Sequence, residues 1–169
     1  ILYVVYFPKV LMGPIVKPEK LLEQFHDESR IKIDPDLFKK GLRMFNIGLF
    51  KKVILADTFV KAVSWGFSDI SATTSMDLIL VMLSYTFQIY FDFSGYSDMA
   101  IGLGKMFGFE FNMNFNYPYV SKSITEFWRR WHISLSSWFR DYVYIPLGGN
   151  RVSKIKHIRN LLIVWFLTG

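Results

Sequence analysis

Apolar side chains recur at helical spacing in three segments of this 169-residue chain. In the first segment Asp34 precedes Pro35, an arrangement typical of a helix N-terminus because aspartate caps the first turn and proline suits its first position. Large apolar residues follow along one stripe, at Phe38, Leu42, Phe45, Leu49 and Val53. The pattern predicts an amphipathic helix that packs on its neighbours, with a basic face able to lie on a membrane surface.

The second apolar segment runs from Met76 to about Phe91, and Ser75 is its predicted cap. Its charge-free run, Leu78 to Phe91, is shorter than the roughly 20 residues that a simple membrane-spanning helix needs. Prolines and a glycine also interrupt residues 8–18, where a helix cannot continue. We therefore expect broken, tilted or re-entrant helices.

The third segment begins at Ser123 and Glu126, whose three-residue spacing is a capping box and predicts a helix start near Ile124. One stripe of that helix carries Phe127, Trp131, Leu135 and Trp138. Tryptophan mixed with arginine suits a headgroup boundary or a polar passage through a membrane protein. The sequence therefore predicts a single membrane-embedded helix here, followed by a chain reversal at residues 146–150.

Composition favours a membrane protein over a water-soluble domain. The chain is 51% hydrophobic and 18% aromatic, with 17 Phe, and its mean hydropathy is +0.24. It opens on ILYVVYF without an initiator methionine and stops after another apolar run, so we expect an internal piece of a larger polytopic protein. The predicted fold is an all-α polytopic membrane fragment, residues 1–169 of one domain, with short or re-entrant and amphipathic helices.

The net charge of +6 indicates a membrane surface more than a nucleic acid. Basic residues cluster at 39–52 and at 151–159, each beside an apolar run, as in cytoplasmic juxtamembrane loops that meet anionic lipid at about 1 kcal/mol per cation. We expect membrane lipid as a partner and no nucleic acid. With no Cys and three widely spaced His, the sequence also predicts no metal site.

Asp92 and Asp98 follow the second apolar segment, where an unpaired carboxylate would be costly. They should face protein and not lipid. Two interpretations stay open, a direct role at the substrate and pairing with an arginine of the third segment, namely Arg129, Arg130 or Arg140.

His132 is the histidine whose surroundings indicate chemistry, since it follows Trp131 and precedes Ser134. A buried histidine is more often structural than catalytic, so both roles remain open. Candidates to line a substrate tunnel with it are Asp92, Asp98, Trp128, Arg129, Trp131, Ser134 and Arg140. Arg140 and Asp141 are also expected to hold the local loop by pairing.

Three blocks together resemble a known family. They are YFPKVLMGPIVKP at 6–18, QIYFDFSGYSDMAIGLG at 88–104 and SITEFWRRWHISLSSWFRDYVYIPLGGNR at 123–151. The chain resembles the membrane-bound O-acyltransferases, and more closely the bacterial alginate O-acetyltransferase branch, with the D-alanyl lipoteichoic acid transferases as relatives. The resemblance implies a multi-pass enzyme of the bacterial cytoplasmic (inner) membrane that transfers an acyl group to a hydroxyl of an exported polysaccharide.

The resemblance also implies a division of labour between two histidines of a central tunnel. His132 matches one of them in a supporting role, and the second, in a Trp-His-Gly motif, is expected beyond Gly169 as the general base. The 169 residues alone should then be inactive. The implied donor is acetyl-CoA or another acyl thioester, used as a substrate, with no bound cofactor. Implied partners are a glycan acceptor and accessory acyl-transfer or polysaccharide-export proteins.

Acetyl transfer is favoured, with D-alanyl transfer to teichoic acid as the alternative within the family. Two other classes remain, a transporter or channel segment, because broken helices with intramembrane charges occur there, and a non-catalytic membrane scaffold.

Overall fold

A computed structural model describes residues 13–27, 30, 34–68, 70 and 73–168 of the chain. All regular structure in these ranges is helical, which confirms the all-α prediction. The opening run ILYVVYF and the first part of the proline-rich stretch lie outside them, whereas residues 13–17 are non-helical as predicted. The chain divides into two compact units, residues 1–113 and 114–169.

The first unit is built on a helical hairpin. Its first arm comprises α2 (Pro35–Phe50), a π-helical turn (Lys51–Ala56) and α3 (Asp57–Ser68). The Asp34 side chain accepts hydrogen bonds from the backbone N–H groups of Asp36 and Leu37, so the predicted cap is confirmed. The second arm is α4 (Ser75–Met106), which returns along the first arm over its whole length.

Helix α4 is longer than its charge-free core predicts. Thr74, not Ser75, is the cap, and its side chain forms a reciprocal capping box with Asp77. The helix continues past Phe91 through both aspartates to Met106, so its 32 residues span about 48 Å. By length and composition α4 is the helix that can cross a membrane among the residues described. The expectation of a short apolar helix ending near Phe91 was wrong, because paired charges do not interrupt helical backbone.

Glycines set the contact between the two arms. A Cβ added at Gly48 would lie 2.5 Å from the carbonyl oxygen of Gly95, and one at Gly41 would lie 2.6 Å from that of Gly102. Such close backbone approach is typical of helix pairs in membranes, where small residues mark the interface. The predicted contact stripe was therefore wrong, and its members Leu42 and Val53 are exposed.

A short helix closes the far end of the hairpin. In α1 (Pro18–His26), Leu21 is fully buried and packs with Ile101 of α4 and with Phe111. The Gln24 side chain donates to the carbonyl oxygen of Glu110 and accepts from its backbone N–H, at 3.1 and 2.8 Å. Helix α1 is thus anchored along one face.

The second unit contains α5 (Ile124–Arg130), α6 (Ile133–Phe139), a π-helical turn (Arg140–Tyr144) and α7 (Lys154–Thr168). The predicted chain reversal is present, with Gly148 and Gly149 both at positive φ. Buried Asn160 of α7 donates to the carbonyl oxygens of Leu147 and Gly149, which fixes the turn against the helix.

We predict that Gly48→Ala destabilises the hairpin by about 1–3 kcal/mol, because the added methyl meets backbone that cannot rotate away. Helix propensity alone would give the opposite sign, since alanine is favoured over glycine by about 1 kcal/mol. The control is Asn46→Ala on an exposed face of the same helix. Thermal melting of the detergent-solubilised protein measures both, and a Gly48→Ala protein at least as stable as wild type would contradict the prediction.

Candidate functional site

The tryptophan-rich segment contains a break where the sequence predicted one continuous helix. Ser123 caps α5 as predicted, accepting from the Glu126 N–H, while the Glu126 carboxylate accepts from the N–H of Lys122. Trp131 is extended and His132 has a left-handed backbone, with φ at 42°. Helix α6 then starts at Ile133 in a new direction, so the predicted stripe from Phe127 to Trp138 belongs to two helices.

A buried asparagine spans this break. The Asn114 carbonyl oxygen accepts from the N–H of Ile133 at 2.9 Å, and its Oδ1 accepts from the N–H and hydroxyl of Ser134 at 3.1 and 2.9 Å. Two residues on, the N–H of Asn116 donates to the carbonyl oxygen of Arg130. A left-handed non-glycine residue costs about 1–3 kcal/mol, and these bonds hold it in place.

The His132 side chain lies beside an aromatic cluster of Phe115, Trp131 and Phe127. Phe115 lies parallel to the imidazole, with ring centroids 6.4 Å apart and 14° between the planes. The same ring meets Trp131 edge-on at 5.1 Å, and Trp131 stacks on Phe127 at 5.5 Å. One face of the partly buried imidazole is therefore covered by Phe115.

His132 forms part of the wall of a cavity of about 410 Å³ in the second unit. The cavity lies between the broken segment and α7, and its surface is mainly apolar. Its lining residues are Trp128, Trp131, His132, Leu135, Ser136, Phe139, Arg140, Tyr144, Leu161, Val164, Trp165 and Thr168. A pocket of this size can enclose a small organic substrate beside the imidazole.

The sequence candidates divide into two groups in this unit. Trp128, Trp131, His132 and Arg140 line the cavity. Ser134 does not, because its hydroxyl is bonded to Asn114, and Arg129 is exposed outside the lining. Sequence reasoning missed Asn114, because the alternation of asparagines at residues 112–116 does not distinguish the buried Asn114 from the exposed Asn112 and Asn116.

Two arginines of this unit are paired with carboxylates. Arg140 Nε donates to Asp141 at 2.9 Å, so the predicted pairing is confirmed, and Arg130 pairs with Glu126 at 2.9 Å. Burial lowers the pKa of His132 to about 4, so its imidazole is neutral at physiological pH. A neutral imidazole can accept a proton or a hydrogen bond, which is the state that acid–base chemistry at a hydroxyl requires.

Asp92 and Asp98 belong to the first unit, where lysines neutralise them. Asp98 is 6% exposed and accepts from Lys51 at 2.6 Å, and Asp92 accepts from Lys52. The predicted arginine partners were therefore wrong, as was the placement of these two lysines in a juxtamembrane loop. The cost of an unpaired carboxylate predicted that a cation would be found, but sequence spacing could not identify which one.

No group of three or more His, Cys, Asp or Glu side chains is arranged to hold a metal ion in the described part of the chain.

The family model for the membrane-bound O-acyltransferases matches residues 1–169. The chain belongs to the membrane-bound O-acyltransferase family. The resemblance drawn from the three sequence blocks is thereby confirmed, and the histidine and aromatic cavity of the second unit are features of an O-acyltransferase family member.

Curated relatives extend the comparison. The chain is 50% identical to the probable alginate O-acetylase AlgI of Pseudomonas aeruginosa, over 99% of this chain and 31% of that protein. It is 44% identical to the peptidoglycan O-acetyltransferase of Helicobacter pylori, over 99% and 32%. Identity to the teichoic acid D-alanyltransferase of Bacillus subtilis is 31%, over 96% and 41%. The chain thus spans about a third of the length of the first two relatives.

We predict that Asp98→Leu destabilises the hairpin by about 3–5 kcal/mol. The substitution leaves the largely buried ammonium group of Lys51 without its carboxylate partner. The double variant Lys51→Met/Asp98→Leu should recover most of the loss. Asp36→Asn is the control, since its ion pair with Lys39 is exposed. Melting temperatures test the order, and a double variant as unstable as the single one would contradict it.

We predict that His132 stays reactive toward diethylpyrocarbonate, which modifies neutral imidazole, from about pH 7.5 down to about pH 5. An unstructured histidine peptide loses reactivity around its ordinary pKa of 6.5, whereas the midpoint for His132 should lie near 4. Because protonation opposes the folded state, stability should also fall as pH drops from 6.5 toward 4. Mass spectrometry of the modified peptide measures the midpoint, and one near 6.5 would refute the prediction.

Proposed function

We propose that the protein is a membrane O-acyltransferase that transfers an acyl group, acetyl in preference to D-alanyl, to hydroxyls of an exported polysaccharide. The observation that carries the proposal is the imidazole of His132 in the wall of an aromatic cavity, in a chain of this family. The relatives' names support the acceptor class, since alginate, peptidoglycan and teichoic acid are all hydroxyl-bearing polymers. The higher identity to the two acetyltransferases supports acetyl.

The reaction places two demands on the site. The hydroxyl oxygen attacks the carbonyl carbon of an acyl thioester, the carbon–sulfur bond breaks, and the hydroxyl proton must leave as the ester forms. We assign proton acceptance to the second histidine that the family resemblance implies. His132 then orients the acceptor or the donor through a hydrogen bond, which its neutral ring can make.

Water is the competing acceptor, because it would hydrolyse the activated donor. Trp128, Trp131 and Tyr144 present apolar surface along the cavity beside His132 and reduce the access of bulk water. Arg140 lies in the same wall with its charge paired to Asp141, so it can hydrogen-bond a polar group of a substrate without adding an uncompensated cation. In this proposal the donor, acetyl-CoA or another acyl thioester, is a substrate and the protein holds no permanent cofactor.

The membrane setting follows from the family and from α4. We place the protein as a multi-pass component of the bacterial cytoplasmic membrane, in contact with lipid, with accessory proteins that supply acyl groups or export the glycan. The apolar first half of α4 supports this placement, because several of its side chains are exposed, Met82 at 69%. In water that surface would be a liability, whereas hydrocarbon accommodates it.

The transporter interpretation loses its main support in the first unit. It depended on carboxylates available inside the membrane, and both Asp92 and Asp98 are paired with lysines. A scaffold without catalysis makes a different prediction from the enzyme, since no side chain in the cavity would then be needed for acylation.

We predict that His132→Ala and His132→Gly each lower acylation of the exported polysaccharide by about 10²-fold or more. Glycine adopts the left-handed backbone of position 132 without strain, so a loss of activity in His132→Gly cannot be attributed to a disturbed backbone. The measurement is the amount of ester-linked acyl group that mild base releases from the exported polysaccharide. The cells express the full-length protein or one of its variants.

The matched control is His26→Ala, which removes an exposed histidine of α1 whose Nδ1 lies 2.7 Å from the carbonyl oxygen of Leu22 in the same helix. It should retain full activity. Membrane fractions must contain equal protein for all variants. Normal acylation in both His132 variants would refute a role for this side chain and favour the scaffold.

A further inference from the structure

We infer that Asn114 is a positioning residue for His132, acting as a helix cap supplied from outside the helix. The inference rests on the proposed function, because it concerns how the imidazole reaches the cavity. Asn114 is 1% exposed, and it joins the two residues that directly follow His132. We call Asn114 with its donors on Ile133 and Ser134 the Asn114 clamp.

The first step concerns the N–H groups at the start of α6. The first N–H groups of any helix lack partners within the helix, and the side chain of the N-cap residue usually accepts from one of them. His132 occupies the N-cap position of α6 but makes no capping bond with its side chain. Asn114 accepts instead from the first two N–H groups, with its main-chain carbonyl oxygen from Ile133 and with its side-chain Oδ1 from Ser134.

The consequence for His132 is that its side chain has no capping duty. Its left-handed backbone turns the chain between α5 and α6, and the imidazole lies in the cavity wall. A continuous helix through this segment would place the two N–H groups against carbonyl oxygens of α5 and leave Asn114 buried without these donors. The Asn114 clamp therefore requires the same chain break that places the His132 side chain in the cavity wall.

The ring of His132 is fixed by the residue next to Asn114. Phe115 lies parallel to the imidazole and is 6% exposed, so adjacent residues of one extended segment hold the backbone and the ring. Ser134 belongs to the clamp as well, because its hydroxyl donates to the same Oδ1. This assigns Ser134 a positioning role and not contact with substrate.

The test compares Asn114→Ala with Asn114→Asp, which keeps an acceptor oxygen at the same place. We expect Asn114→Ala to lower the base-released acyl content by about 10²-fold, the cost typical of a reacting group misplaced by about 1 Å. The acyl content in Asn114→Asp should be at least about tenfold higher than in Asn114→Ala. Asn116→Ala is the matched control, since that side chain is exposed two residues along the same segment, and it should be unchanged.

A second measurement separates positioning from activity. The rate of diethylpyrocarbonate modification at His132, in membranes and at fixed pH, reports the exposure of the imidazole. It should change at least about threefold in Asn114→Ala and stay near wild type in Asn114→Asp and Asn116→Ala. Should Asn114→Ala fail to accumulate, Ser134→Ala, which removes only the hydroxyl donor, should change both readouts in the same direction by a smaller factor.

Different results overturn different claims. Unchanged acylation and unchanged modification in Asn114→Ala, or in Ser134→Ala where that variant is used, overturn the inference while leaving the proposed function intact. Full acylation in His132→Gly refutes the proposed role of His132, and the modification rates then still decide whether Asn114 positions the ring.

Discussion

The helix interruption at Trp131 and His132 is the constraint on which the second unit depends. Helical backbone normally satisfies its own N–H and C=O groups, and a break leaves several of them exposed to apolar surroundings where each costs free energy. Here residues 114–116 supply the missing hydrogen-bond partners. Asn114 accepts from the N–H groups at the start of α6, and the N–H of Asn116 donates to a carbonyl oxygen at the end of α5. The hydrogen bonds of this short segment thus offset the conformational cost of the left-handed backbone at His132, after which α6 lines the cavity.

The first unit solves a related problem with different chemistry. Its two arms must approach closely although α4 carries two carboxylates, so glycine lets the backbones touch while lysines of the π-helical turn reach the acids. Gly48 and Gly95 contact each other beside the pair of Lys51 and Asp98. Close packing and neutralisation therefore occur at the same level of the hairpin.

Sequence reasoning was more reliable where a feature is local, although it placed the cap of α4 at Ser75, one residue after Thr74. The caps at Asp34 and Ser123 and the glycine turn before α7 involve groups within a few residues of each other, and all three were predicted. It failed where the deciding partner is distant in sequence. Lys51 is 47 residues from Asp98, and Asn114 is 20 residues from Ser134. The break at His132 depends on such a partner, so a stripe of apolar residues could not reveal it.

The prediction of which face of α2 packs on its neighbours was wrong for a further physical reason. Amphipathic patterns identify the buried face only when water is the solvent, since large apolar side chains then gain by leaving it. In this chain Ile155 is 82% exposed and Phe166 78%, whereas Ser94, Asn114 and Asn160 are at most 1% exposed. The described part of the chain therefore has a core that contains both apolar residues, such as Leu21 and Ile101, and polar ones, while many large apolar side chains lie outside it. Exposed apolar surface of this kind fits the membrane-bound family to which the chain belongs.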